Sequence, residues 1–210
     1  MIVTTKKGNF DKIHIYIDGE YCLTVYDTYF YESGISDGDT IDEDKLACLK
    51  GEASFRRAYE SALRMIAARA HSKKEVYMKL SRNHDNQSID RVLEKLEEKG
   101  YIDDYDYANQ RFIYLYNRKK WGERRIRQEL KSKGVDSEII DTVIKKGIDN
   151  DPVSRIIMLI DTKHSKSLTD EKGKRRVYSA LLRMGYDNWD IRKAFSEYEL
   201  NLQNEQADDF

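Results

Sequence analysis

Apolar and polar positions alternate near the start of the chain and then change period. Ile13, Ile15 and Ile17 are separated by His14 and Tyr16, Asp18-Gly19 follows, and Tyr21, Leu23 and Val25 alternate with Cys22 and Thr24. Alternation of period two on both sides of an Asp-Gly pair predicts a β-hairpin. From Asp42 the spacing becomes three and four, through Leu46, Leu49, Tyr59, Leu63, Ile66 and Ala67, which predicts helix. A small β-rich head is thus expected before a helical body, with the two joining near Gly51.

The helical part repeats itself at an interval of about 50 residues. Ser72-Lys-Lys-Glu-Val76-Tyr-Met-Lys-Leu80 aligns with Gly122-Glu-Arg-Arg-Ile126-Arg-Gln-Glu-Leu130 and with Gly173-Lys-Arg-Arg-Val177-Tyr-Ser-Ala-Leu181, each with two apolar anchors four residues apart. Ile89, Ile140 and Ile191 then open a further amphipathic stretch, and Ile66, Ile113 and Ile157 mark the first helix of each unit. The expected fold is mainly α: three tandem three-helix repeats, with helices in the order long, short, medium, forming an elongated curved body behind the head. The expected divisions are an acidic head over 1–52, repeats over 53–101, 102–149 and 150–200, and an acidic tail over 201–210. One such unit is small and buries its apolar faces better against neighbours.

Punctuation supports this register. Ser72-x-x-Glu75 reads as a capping box, Asp151-Pro152 places a cap before a first-turn proline, and Gly100, Gly134, Gly147 and Gly185 are expected just beyond helix ends. Lys99, Lys133 and Lys146 precede three of those glycines, where the helix dipole favours cations.

Composition narrows the function classes. The 210 residues carry 37 Lys and Arg against 38 Asp and Glu, with one proline and 11 glycines, too few breakers for an all-β sandwich. The longest apolar run is Ile156–Ile160, far below the roughly 20 residues of a membrane span. With no apolar leader and two cysteines, Cys22 and Cys48, outside any CxxC pattern, a cytoplasmic location is expected. Charge is zoned. Residues 1–52 carry a net of −6, 53–196 a net of +10, and 197–210 five acids with no Lys or Arg. Only the middle zone has the sign of a surface that meets phosphate or an acidic partner.

No phosphate loop, dinucleotide fingerprint, hydrolase elbow or HExxH pattern is present, and His14, His71, His84 and His164 are scattered. No catalytic residue, metal or cofactor is expected. Asp37-Gly-Asp39-Thr-Ile-Asp42-Glu-Asp44 superficially suggests a calcium loop, but Asp42 stands where that loop needs glycine and Cys48 where it needs its last glutamate; a turn leading into a helix fits better. Asp103-Asp104 reads as a helix cap before an acid-base pair. Tyr101, Tyr105, Tyr107, Tyr114 and Tyr116 read as packing before base stacking.

The basic residues are more informative. With Ile126 and Leu130 inward, Arg124, Arg127 and Lys131 fall on the opposite face, and Lys74, Arg124 and Arg175 share one outward position in successive repeats. Together with Lys119, Lys120 and Lys174 they are candidates for contact with a partner or DNA. Phosphate binding, a complementary acidic protein groove and a merely solvated face all fit such a row.

At these stretches the body resembles the RecX family, regulators of the bacterial RecA recombinase, over roughly residues 57–198. The resemblance rests on Arg69-Ala-His-Ser72-Lys-Lys-Glu75-Val-Tyr-Met-Lys79-Leu80 and Gly100-Tyr-Ile-Asp-Asp104, most specifically on Lys119-Lys-Trp-Gly122-x-x-x-Ile126-x-x-Glu129-Leu130-x-x-Lys133-Gly134-Val135, and more loosely on Lys174-Arg-Arg176-Val-Tyr-x-x-Leu181-Leu-Arg-Met-Gly185-Tyr186. His71, Val76 and Met184 depart from the family's usual residues. The resemblance implies a non-enzymatic protein, expected to be a monomer, that lies in the groove of the RecA–DNA filament. There it would limit filament growth, ATP hydrolysis and strand exchange in DNA repair, homologous recombination and the SOS response, touching single- or double-stranded DNA weakly or through RecA. The alternative reading is an independent DNA-binding helical protein with helix-turn-helix-like modules, and no membrane enters either.

Overall fold

Three short strands and a run of helices follow one another along the chain. The computed structural model describes residues 1–148, 151–165, 168 and 170–208, with side chains through Asn201. Strands β1 (Val3–Lys7), β2 (Lys12–Ile17) and β3 (Glu20–Tyr26) form an antiparallel sheet in that order. In the β2–β3 turn Asp18 and Gly19 take φ of 52° and 88°, the positive values that a two-residue hairpin loop requires. Helix α1 (Asp27–Glu32) follows.

Two features of the head depart from the alternation rule. Ile15 pairs with Leu23 but Tyr16 pairs with Tyr21, so Cys22 is an extra residue in β3. This bulge reverses the phase of the strand. Leu23 and Val25 are buried as expected, whereas Tyr21 is 60% exposed. Strand β1 was not expected at all, because only its Val3 reaches the core.

Helix α2 (Glu43–Ala68) starts where Asp42 accepts the Lys45 amide at 2.8 Å. It runs unbroken through Gly51, so the position where head and body are expected to join lies inside a continuous helix. The same helix gives Leu49 and Ala53 to the core of the head and Ala58 and Ala62 to the core of the first bundle. A Cβ at Gly51 would meet nothing within 4 Å. Gly51→Ala is therefore expected to raise stability by about 0.5–1 kcal/mol in chemical denaturation, because glycine carries its entropy cost here without a steric reason.

The body continues with α3 (Lys73–Leu80), α4 (Asn86–Glu98), α5 (Asp104–Ile113), a π-turn (Tyr114–Arg118), α6 (Glu123–Ser132), α7 (Ser137–Gly147), α8 (Pro152–His164), α9 (Glu171–Arg183) and α10 (Asn188–Asp208). The chain divides into two compact units, one of Met1–His71 with Glu75–Ile102, the other of Ser72–Lys74 with the chain from Asp103 onward. Among the described residues, buried apolar side chains gather into four clusters, over Val3–Ala53, Ala58–Ile102, Tyr107–Ile144 and Val153–Tyr198. The repeat anchors Val76/Leu80, Ile126/Leu130 and Val177/Leu181 are all buried, as are Ile89, Ile140 and Ile191.

Asp103 and Asp151 cap helices as expected, and three aspartates not singled out from sequence, Asp85, Asp136 and Asp170, do the same. Asp85, Asp103, Asp136, Asp151 and Asp170 accept amides at the starts of α4, α5, α7, α8 and α9. Asp37, from the calcium-like stretch, instead accepts from the Thr5 amide at 2.6 Å.

Other expectations are corrected. The third repeat is not long-short-medium: α8 and α9 have 13 residues each and α10 has 21. Ile113 lies on α5, the first helix of its unit, as expected, but it is 48% exposed, and Phe112, Leu115 and Tyr116 fill the core; the wide π-turn lets the adjacent Leu115 and Tyr116 both face inward. Gly147 ends α7 without positive φ. It is small because a Cβ there would lie 2.2 Å from the Phe112 ring.

The basic face and the glycine joints of the short helices

Helix α6 shows how the candidate residues are placed. Ile126 and Leu130 are fully buried, which fixes the rotation of the helix. Arg124 and Lys131 then project into solvent, neither ion-paired among the described residues. Arg127 does not join them. It is half-buried and bound at 2.6 Å to Glu123, one turn back, and to Asp141 on α7. These two carboxylates raise its pKa against an opposing effect of burial. Its charge is paired within a partly exposed carboxylate cluster.

The equivalent residues of the other short helices divide in the same way. Lys74 and Arg175 are exposed, each two residues before a buried anchor. Lys174 is bound to Glu199 at 2.7 Å and to Glu171 at 3.4 Å, and the Glu199 carboxylate raises its pKa. Lys119 is exposed, with its ammonium 5.7 Å from the centre of the Tyr114 ring. Lys120 is half-buried at φ 59°, and its carbonyl accepts the Tyr186 hydroxyl at 3.0 Å. Five of the eight candidates, Lys74, Lys119, Arg124, Lys131 and Arg175, thus present exposed charge without a carboxylate partner among the described residues.

Within the second unit, one kind of joint occurs twice beside this face. The Gly122 amide donates to the Met184 carbonyl at 2.8 Å and the Arg124 amide to the Gly185 carbonyl at 3.3 Å. A Cβ at Gly122 would lie 2.5 Å from the Gly185 oxygen, and a Cβ at Gly185 2.5 Å from the Arg125 amide nitrogen. Backbone meets backbone there. At the other joint the buried Ser72 hydroxyl donates to the Lys133 carbonyl at 2.6 Å, and the Lys74 side-chain stem packs on Gly134. The Trp121-Gly122 and Met184-Gly185-Tyr186 stretches therefore have a packing role.

Sequence reasoning missed the arginines that brace these joints. Arg125 stacks on Trp121 with its guanidinium 3.8 Å from the ring centre and donates to the Arg183 carbonyl at 2.9 Å. Arg155 lies 3.7 Å over the Tyr116 ring and donates to the Tyr186 hydroxyl and to the Tyr116 carbonyl. Trp121 is one helical turn from Arg125, but Arg183, Tyr186 and Tyr116 stand tens of residues from the arginines they meet, beyond the reach of helical periodicity. Of the tyrosine cluster, Tyr107 and Tyr116 are buried, while Tyr101 and Tyr114 are substantially exposed. Asp103 caps α5, and Asp104 accepts the Lys73 amide at 2.8 Å.

The described residues contain no group of three or more potential metal ligands. No described helix is long and apolar enough to cross a membrane.

Comparison with known proteins gives one consistent answer. Residues 58–101 match the family pattern described as RecX, first three-helix domain, and residues 103–144 the one described as RecX, second three-helix domain. The chain is 32% identical over 145 residues to a protein named Regulatory protein RecX from Chlorobium phaeobacteroides, covering 68% of this chain and 93% of that one. It is 25% identical over 205 residues to a protein of the same name from Clostridium botulinum, covering 94% of each. The crystal structure of a regulatory protein RecX superposes with a TM-score of 0.70 at 19% identity, over 94% of this chain and 96% of that one. RecX from Lactobacillus salivarius superposes at 0.62, over 70% and 97%.

Proposed function

The chain belongs to the RecX family of regulatory proteins, and on that footing we propose that it modulates the RecA recombinase by binding rather than by catalysis. In this reading it is a cytoplasmic monomer that sits in the groove of the RecA–DNA filament and limits filament growth, ATP hydrolysis and strand exchange. It works through an acidic head over 1–52, three helical modules over 53–101, 102–149 and 150–200, and an acidic tail over 201–210.

The observation that carries the reading is the recurrence of an exposed cation, Lys74, Arg124 and Arg175, two residues before the buried anchor of each short helix. Three copies of one basic position suit a partner that itself repeats. A filament offers the same acidic or phosphate-lined contact at regular intervals.

RecA-catalysed ATP hydrolysis on single-stranded DNA tests the reading. Protein added below RecA stoichiometry should reduce the rate and slow strand exchange while hydrolysing no nucleotide itself. An unchanged rate with protein in excess over RecA refutes it. Tight, strongly salt-dependent DNA binding without RecA, with no effect on hydrolysis, would favour the independent DNA-binding alternative.

A further inference from the structure

We propose that the cleft between the C-terminal end of α2 and the α3–α4 turn is a binding site for a phosphoryl group. The cleft lies wholly within the first unit and has a volume of about 540 Å³. Arg64, Arg69, Lys79, His71, His84 and Asn83, with Ser61, supply its polar lining, and no aspartate or glutamate among the described residues lines it. Met65, Ala68 and Leu80 provide an apolar part.

The cations are not equally committed. Arg69 is held by Glu75 at 3.2 Å and by the Ala70 carbonyl at 2.7 Å. Among the described residues Arg64 donates only to the Ser61 hydroxyl, at 3.2 Å. The Lys79 ammonium donates to Nε2 of His71 at 2.8 Å, while Nδ1 of His71 lies 2.8 Å from the Arg69 carbonyl. A ring that accepts from an ammonium at one nitrogen and donates to a carbonyl from the other is neutral. Two full charges, on Arg64 and Lys79, therefore face the cleft beside a 95% buried imidazole with no carboxylate in ion-pair contact with either among the described residues, Glu75 being held by Arg69.

That charge and geometry select the ligand. A carboxylate would neutralise one cation, whereas a phosphoryl dianion carries two charges and enough acceptor oxygens for an arginine fork, an ammonium and an amide together. The imidazole adds a proton-linked element. Burial, with Arg69 and Lys79 alongside, holds the His71 pKa below its ordinary 6.5, opposed by its bond to the Arg69 carbonyl and by the nearby Glu75. A dianion in the cleft supplies the missing negative charge and must raise that pKa. By the same logic, without a ligand the unfolded chain takes up the His71 proton first as pH falls below 6.5, so stability declines in that direction.

The probes are inorganic phosphate and a fluorescent single-stranded oligonucleotide, added to the full chain without RecA at constant ionic strength. Phosphate should bind saturably and raise the His71 pKa seen by NMR. Arg64→Gln combined with Lys79→Gln, and Arg64→Gln alone should the pair fold poorly, should weaken binding by about tenfold or more with circular dichroism unchanged. The oligonucleotide distinguishes the sources: displacement by phosphate and loss in the same variants identify a nucleic-acid backbone, and retention of its binding identifies a free phosphate compound. Equal phosphate affinity in wild type and variants, no saturable binding, or a His71 pKa indifferent to phosphate overturns the proposal.

Discussion

Gly185→Ala is expected to cost about 2–4 kcal/mol, several times the cost of the same change at Gly100. Both glycines have positive φ at a helix end, 90° and 65° respectively. The left-handed conformation alone costs an L residue about 1–2 kcal/mol. At Gly100 that is the whole effect, because a Cβ there meets nothing within 4 Å. At Gly185 the new methyl would lie 2.5 Å from both the amide nitrogen and the Cβ of Arg125, and backbone cannot swing aside as a side-chain tip can. Opening the joint also lengthens the bonds from the Gly122 and Arg124 amides. Urea denaturation of the two variants measures the contrast, with the slope on denaturant showing that compactness is preserved. Equal losses would mean that the backbone approach contributes nothing.

The second large effect concerns function. Replacing Arg124, Lys131 and Arg175 together by glutamate should reduce inhibition of RecA by an order of magnitude or more at nearly unchanged melting behaviour. All three are exposed without carboxylate partners among the described residues, so each change should alter stability by only about 0.5 kcal/mol, whereas a charged contact across an interface is worth a few kcal/mol. Arg127→Gln is the informative control. It breaks the bonds to Glu123 and Asp141, with a stability loss on the scale of partly exposed ion pairs, about 0.2–1 kcal/mol, and should leave inhibition intact. Free DNA separates phosphate from protein contacts: the slope of log affinity against log salt falls by roughly 0.9 for each lost duplex phosphate contact. A triple variant that inhibits and binds DNA like the wild type would reduce the basic face to solvated surface.

How much of this was legible depends on the range over which each signal acts. The burial of Ile126 and Leu130 follows from spacing within one helix, and the Asp-Gly hairpin from four adjacent positions. Tyr21 went astray because the bulge at Cys22 is a property of strand pairing. The expected joint near Gly51 falls inside one helix, with Leu49 and Ala53 in the core of the head and Ala58 and Ala62 in that of the first bundle; that continuity depends on packing partners outside the helix. At the basic face, periodicity correctly turned Arg124 and Lys131 outward. It could not see Asp141, on a different helix, neutralising Arg127. The cleft around His71 was invisible for the same reason: Arg64 and Lys79 stand 15 positions apart in sequence and converge only when α2 and α3 pack.

The unbroken passage of α2 from sheet to bundle bears on how this chain can be taken apart. A helix of 26 residues is roughly 39 Å of continuous hydrogen-bonded rod, and proteases need several residues of extended chain in their clefts. The head therefore offers no cleavable linker at its inner boundary, and a chimera that exchanges heads at residue 52 would cut a folded rod whose two halves each hold a core. The workable seam lies before Asp42 or after Ala68, so the head travels with its helix as a single heritable part.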